Sequence, residues 1–169
     1  SFSIVESSLW AFDVLIEEGY TYDASVFPIH HDRYGIPGAP RHAHVIERAA
    51  GTIVEVPSST VRIGGMNVPI AGGGYFRLLP YAVTKWGIAR LNGEGAPAVF
   101  FIHPWEVDAD QPRLPVSRLT SIRHYRNVGA TMPRLDRLID DFAFDTIAAA
   151  IVAQRPVPVA AAARWAHAK

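Results

Sequence analysis

The chain has 169 residues, enough for one domain with a sizeable core, and its 49% hydrophobic and 19% charged content is that of a globular protein rather than a disordered one. Sixteen basic and sixteen acidic residues cancel, so the chain lacks the bulk field that draws nucleic acid or an anionic membrane surface. Cysteine is absent, which excludes disulfides and thiolate metal sites, and no apolar stretch approaches the roughly 20 residues of a membrane span.

The sequence enters at once on strand-like residues, 2–5, with no basic segment leading into an apolar one, so no signal peptide is legible and the chain reads as the middle of a protein. Ser7 and Ser8 then offer N-caps for an amphipathic helix. Its stripe is Leu9, Phe12 and Ile16 with Trp10 and Val14 beside it, ending before Gly19. Residues 20–27 read as a short strand, which makes the opening unit β–α–β, the pattern of a parallel sheet. Residues 28–44, with three prolines, two glycines and four histidines, are a loop of functional length. Residues 53–56 and 60–63, divided by Pro57-Ser58-Ser59, and the apolar piece 67–70 imply a small antiparallel excursion.

Gly72-Gly73-Gly74 precedes a predicted helix with Tyr75, Leu79, Ala82, Val83, Trp86 and Ala89 as its stripe, Pro80 in its first turn and Gly93 at its end. Residues 98–102 form a continuous apolar run, as in a strand buried on both faces, and the run stops at His103-Pro104. A histidine at the C-terminal end of a buried strand stands where α/β enzymes place chemistry, or serves there as a hydrogen-bonded structural group. Residues 108–125 are long and polar. Thr131-Met132-Pro133 starts a helix with Leu135, Leu138, Ile139 and Phe142 on its apolar face. Asp145 can cap a last helix reaching Gln154, and residues 156–169 read as a weakly ordered tail.

Among candidate sites, His30 and His31 are adjacent and point to opposite sides of an extended chain, a poor arrangement for one ion. His42 and His44 share a face and are the better-spaced metal alternative, although no third ligand is evident. The glycine run lacks the Lys-Ser/Thr of a phosphate loop, so close packing or a tight turn explains it better. Tryptophan and tyrosine faces can stack on sugar rings. Trp10 and Trp86 lie on helix stripes and read as core, which leaves Trp105 and Tyr75 as ligand candidates. Arg113 belongs to a basic-aromatic stretch suited to ion pairs or to a substrate hydroxyl or carboxylate.

Five strings, SFSI, EEGYTYDASVFPIHHDRYGIPGAPR, GGGYFRLLPY, FFIHPWEVDADQPR and IRHYRN, together resemble one family over residues 1–144. They are similar to the C-terminal half of exopolysaccharide-associated polysaccharide deacetylases of the NodB-homology class, carbohydrate esterase family 4. The version resembled carries a C-terminal domain of unknown function and is found beside exosortase loci. The resemblance implies an α/β fold, the C-terminal half of a distorted (β/α) barrel, with residues 28–71 as a loop-rich, partly antiparallel insertion within a unit of residues 1–155. It matches the class's apolar-His motif to Ile102-His103, His103 being the general acid for the leaving amine and Ile102 lining the acetyl pocket. Its fourth motif falls on Tyr22-Asp23-Ala24-Ser25, where a carboxylate, Asp23, tunes the histidine. The class's base and metal-binding motifs are absent from this chain. The divalent metal, zinc by class expectation, would then be held by a missing N-terminal half, a partner the chain would need beside its N-acetylhexosamine polysaccharide substrate. The rival readings are a non-catalytic carbohydrate-binding or assembly module and a complete small hydrolase with a metal on His42, His44 and another histidine.

Overall fold

The computed structural model describes residues 2–31 and 34–156. A buried apolar group sits beside the first sheet: Ile4, Leu9, Phe12, Val26, Ile36, Ala39, Ile46 and Ile53. Helix α1 (Ala11–Glu17) lays Phe12 onto it and ends before Gly19, which takes φ +83° as the sequence predicts. Ile4 is fully buried there, yet residues 2–5 form no strand. The Ile4 carbonyl accepts from Gly35 N and Phe2 N donates to Ser25 Oγ, so loop partners replace the expected sheet ladder. Trp10 on the outer edge of this segment is 63% exposed, which corrects its reading as core.

The sheet has the order β1 (Tyr22–Asp23), β3 (Gly51–Glu55), β2 (His44–Arg48), with β1 parallel and β2 antiparallel to β3. The predicted strand over residues 20–27 is therefore only two residues long. Beyond it the backbone bonds singly, through Val56 N to Asp23 O and Ser58 N to Val26 O. Asp13 of α1 accepts from Arg48 of β2 at 2.6 Å and fastens the helix to the sheet, and that hydrogen bond holds the Asp13 carboxyl below its usual range.

The antiparallel excursion is present but paired differently from the expectation. β4 (Thr60–Ile63) bonds to β5 (Met66–Pro69) in a separate two-stranded ribbon, while β3 turns away to β2. The ribbon packs on a second core of Val61, Ile70, Phe76, Ile88, Leu91 and Leu138. The single helix expected after the glycine run is two: α2 (Gly73–Leu78) and α3 (Tyr81–Gly93), broken at Pro80, whose missing N–H suits the start of α3. The inward face is Phe76, Arg77, Thr84, Gly87, Ile88 and Leu91 rather than the predicted stripe, and Trp86 is 44% exposed.

Residues 98–102 are extended but form no strand. Ala98 and Phe100 pack on the second core, Val99 N donates to Ser59 Oγ at 2.6 Å, and no neighbouring strand among the described residues ladders with the run. The polar stretch after it contains a helix the sequence reading missed, α4 (Arg118–Tyr125), with Ser117 Oγ accepting from Thr120 N as its cap. α5 (Thr131–Asp141) begins at the predicted threonine, with Leu138 buried and Ile139 56% exposed. α6 (Ile147–Gln154) is capped by Thr146 Oγ1, one residue after the expected Asp145. The predicted tail from residue 157 onward lies outside the described residues. No helix among the described residues is long and apolar enough to cross a membrane.

Candidate functional site

The second core carries a charge where hydrophobic patterning would place an apolar residue. Arg77, on the inward face of α2, is 1% exposed and donates through Nε and Nη2 to Glu106 Oε1 at 3.1 and 3.0 Å. Its guanidinium also donates to the carbonyls of Arg123, His124 and Arg126, at 3.2, 2.8 and 3.0 Å, where α4 ends. A buried arginine survives only with every donor engaged, and this one is engaged by two separate segments. Asn127 Nδ2 returns a bond to the Arg77 carbonyl, and Arg134 of α5 donates to the carbonyls of Phe76, Arg77 and Leu79.

Glu106 passes this order on to His103. Its Oε2 accepts from His103 N at 3.0 Å, and Glu106 N donates to the His103 carbonyl at 2.9 Å, closing the short turn Pro104–Glu106. Gly73 is required beside it, because a methyl there would collide with the Glu106 carboxylate. Gly72, at φ +97°, lies against the Phe101 ring. Close packing, not phosphate binding, accounts for the glycine run.

His103 itself is exposed. Its ring meets Phe101 edge-on at 5.9 Å and lies parallel to Trp105 at 6.2 Å, and among the described residues no carboxylate hydrogen-bonds its nitrogens. The array continues through Trp105 on His124 (4.1 Å), His124 on Tyr125 (4.6 Å) and the Arg113 guanidinium over Tyr125 (5.3 Å). Trp105 is thus half-buried, with His124 stacked on it and Arg77 4.9 Å from its centroid. Gln111 fixes the histidine. Its amide nitrogen donates to the carbonyls of Trp105 and Asp108, so its oxygen faces His124 Nε2 at 3.0 Å and that nitrogen carries the proton.

The remaining sequence candidates fall in two other places. Tyr75 meets Phe27 edge-on at 6.1 Å, and Phe27 stacks with Tyr34, on which His31 lies at 3.9 Å. Ile102 is half-buried at the end of the extended run. Asp23 sits in the first sheet, its Oδ2 accepting from Ser25 N at 3.1 Å and its neighbour across the ladder being Glu55. Burial, then the Asp23 charge, push the Glu55 carboxyl well above the usual range.

His42 and His44 do not fit a metal site. His42 is exposed while His44 is buried. The His44 Nδ1 is engaged by the His42 carbonyl at 2.9 Å, and no group of three His, Asp or Glu able to hold an ion occurs among the described residues. Burial lowers the pKa of His44 and keeps the ring neutral. His42 instead lines an open cleft of about 630 Å³ between the extended run, α3 and α6.

Arg77, Glu106, Gln111 and Glu55 were not among the sequence candidates, whereas His124 belonged to the basic-aromatic stretch. Arg77 and Glu55 had one visible signal each, a charge inside an apolar helical or strand pattern.

Residues 24–152 match the family described as "Domain of unknown function (DUF3473)", and the chain belongs to that family. No curated protein and no solved structure matches the chain.

Proposed function

We propose that the chain is the C-terminal portion of a metal-dependent polysaccharide N-deacetylase acting on an N-acetylhexosamine-containing exopolysaccharide, and that its fold is the C-terminal half of a distorted (β/α) barrel. The observation that carries this reading is the exposed His103, held at the end of an apolar run by the buried Arg77–Glu106 pair. Three of the five strings that resemble the deacetylase class, those containing Arg77, His103 and His124, meet at that pair. In the reading, the divalent metal and its ligands belong to the N-terminal half and supply the activated water. His103 supplies the proton that the amine needs as the carbon–nitrogen bond breaks, a role that imidazole fills near neutral pH. The Phe101 and Trp105 rings lie beside the His103 ring at 5.9 and 6.2 Å.

The test is acetate release from N-acetylated oligosaccharides with added Zn²⁺ or Co²⁺. The expected result is turnover when the chain is joined to a half that carries the metal motif, and none from the chain alone. Metal-dependent turnover by the chain alone would overturn the division of labour. Oligosaccharide binding without turnover in either form would favour the carbohydrate-binding module.

A further inference from the structure

Three strands place a titratable side chain in one row across the first sheet: Asp23 of β1, Glu55 of β3 and His44 of β2. The row lies on the face that also carries Ile46 and Ile53, so all three side chains are buried. Glu55 is the most enclosed, with no exposed surface. Its Oε1 accepts from Val26 N at 2.8 Å. Its Oε2 is shielded from solvent and receives no donor among the described residues. An ionised carboxylate with a bare buried oxygen is one of the costliest groups a core can hold.

The carboxyl facing Glu55 is that of Asp23, and the backbone N–H groups of Val26 and Ser25 also reach the Glu55 side chain. Two ionised carboxylates can only accept, so they have no hydrogen bond to exchange. One proton between them turns repulsion into a short hydrogen bond. Among the described residues, the other titratable groups on this sheet and its helix do not supply it. The neutral His44 ring carries its hydrogen on Nδ1, directed at the His42 carbonyl, and Asp13 of α1 is occupied by Arg48 at the opposite end of the ladder. Asp23 accepts from Ser25 N at 3.1 Å, which holds its carboxyl in place beside Glu55.

We infer that Glu55 is a resident carboxylic acid at neutral pH, its proton on Oε2 and donated to Asp23, and that it acts as a positioning residue for Asp23. The direction in which burial and the Asp23 charge move Glu55 agrees with this. The protonation stands apart from the deacetylase reading. The consequence for catalysis, that Asp23 is presented as an oriented carboxylate, rests on that reading.

The experiment is infrared spectroscopy of the 169-residue chain at pH 7, where a protonated carboxyl shows a C=O stretch that carboxylates lack. The expected result is such a band in the wild type and its loss in Glu55→Gln, whose amide can still accept from Val26 and donate to Asp23. Melts across pH give a second readout. A folded-state proton on Glu55 stabilises below the usual carboxylate range and its contribution is lost as pH rises toward the folded value. The stability difference between wild type and Glu55→Gln therefore falls with rising pH in that window, a comparison in which the opposite contribution of His44 cancels. No protonated band in the wild type, or a band unchanged in Glu55→Gln, overturns the inference. In an active assembled enzyme, Glu55→Gln should lower kcat less than Glu55→Ala does, and equal losses would remove the positioning role. A band that behaves as expected in an assembly with no deacetylase activity would leave Glu55 as assigned and refute the proposed function instead.

Discussion

Arg77 and Glu106 lie 29 residues apart in the chain and form a buried ion pair at 3.0 Å, each side chain about as enclosed as a core leucine. The pair joins α2 to the His103 turn and to the end of α4. Removing one partner leaves the other charge buried, which costs about 3–5 kcal/mol. Arg77→Ala should therefore lower unfolding free energy by about that amount in urea melts. Arg77→Lys should not restore it, because an ammonium cannot reproduce the fork to Glu106 and three carbonyls. Elsewhere a double apolar replacement of a buried pair can be neutral. Here Arg77→Met with Glu106→Leu should remain destabilised, since the carbonyls of Arg123, His124 and Arg126 and the amide of His103 lose their partners.

Adjacent glycines should respond in opposite directions. A Cβ at Gly73 meets the Glu106 carboxylate, whereas at Gly74 it meets nothing within 4 Å. Gly73→Ala must displace a buried, ion-paired group and should cost about 1–3 kcal/mol. Gly74→Ala sits in α2 with free space and should stabilise by roughly 0.5–1 kcal/mol through the unfolded chain. Gly87→Ala belongs with the first case, because its Cβ would come within 2.8 Å of the Ile70 side chain. Thermal melts of the three variants rank these effects, and equal shifts for Gly73 and Gly74 would remove the packing account of the run.

His44 sets an acid-side limit on stability. Burial lowers its pKa from the ordinary 6.5, so on acidification the unfolded chain takes up this proton before the folded one. The unfolded state then binds more protons, and stability rises with pH through that window. The contribution is complete above about pH 6.5 and is lost as pH falls through the folded value. His44→Asn keeps a donor for the His42 carbonyl and cannot titrate, so the stability difference between wild type and this variant should rise with pH just below 6.5, a comparison in which the Glu55 contribution cancels. Asp13 and Asp141, both held low by hydrogen bonds from basic partners, act in a separate and more acidic window below 3.8. Parallel wild-type and His44→Asn profiles from neutral pH down to that lower window would count against a buried neutral His44.

Local chemistry was legible in this sequence where it acts over a few residues. Gly19 ends α1, Thr131 opens α5, and His103 closes an extended apolar run, all as read from the chain. Failures trace to partners distant in sequence. A strand is defined by its neighbour, so residues 98–102 have strand composition without a ladder, and β2, whose HVIER pattern begins and ends on polar residues, exists because β3 pairs with it. Arg77 breaks an apolar stripe, and nothing within its own helix announces that Glu106 will cancel the charge. Trp10 and Trp86 satisfied a helical period yet lie on its outer margin, where Trp86 packs under the Arg90 guanidinium at 5.7 Å.

The last prediction separates chemistry from architecture at His103. Its imidazole is exposed beside the Phe101 and Trp105 rings, while its fixed parts are backbone groups bonded to Glu106. His103→Ala removes the ring and keeps those backbone bonds, so folding stability should change by no more than about 0.5 kcal/mol. A group that donates a proton only as the bond to nitrogen breaks acts in the transition state, so its loss falls on kcat with little change in KM. General acid catalysis contributes about 10²–10⁴-fold, and under the proposed function that is the expected loss of turnover in the assembled enzyme. Thermal stability, bound metal and kcat should be measured on one preparation of each protein. Near-normal kcat per folded molecule would make His103 a surface residue without a catalytic part. Loss of metal together with activity would make it a ligand, and the metal site would then draw on this half of the enzyme.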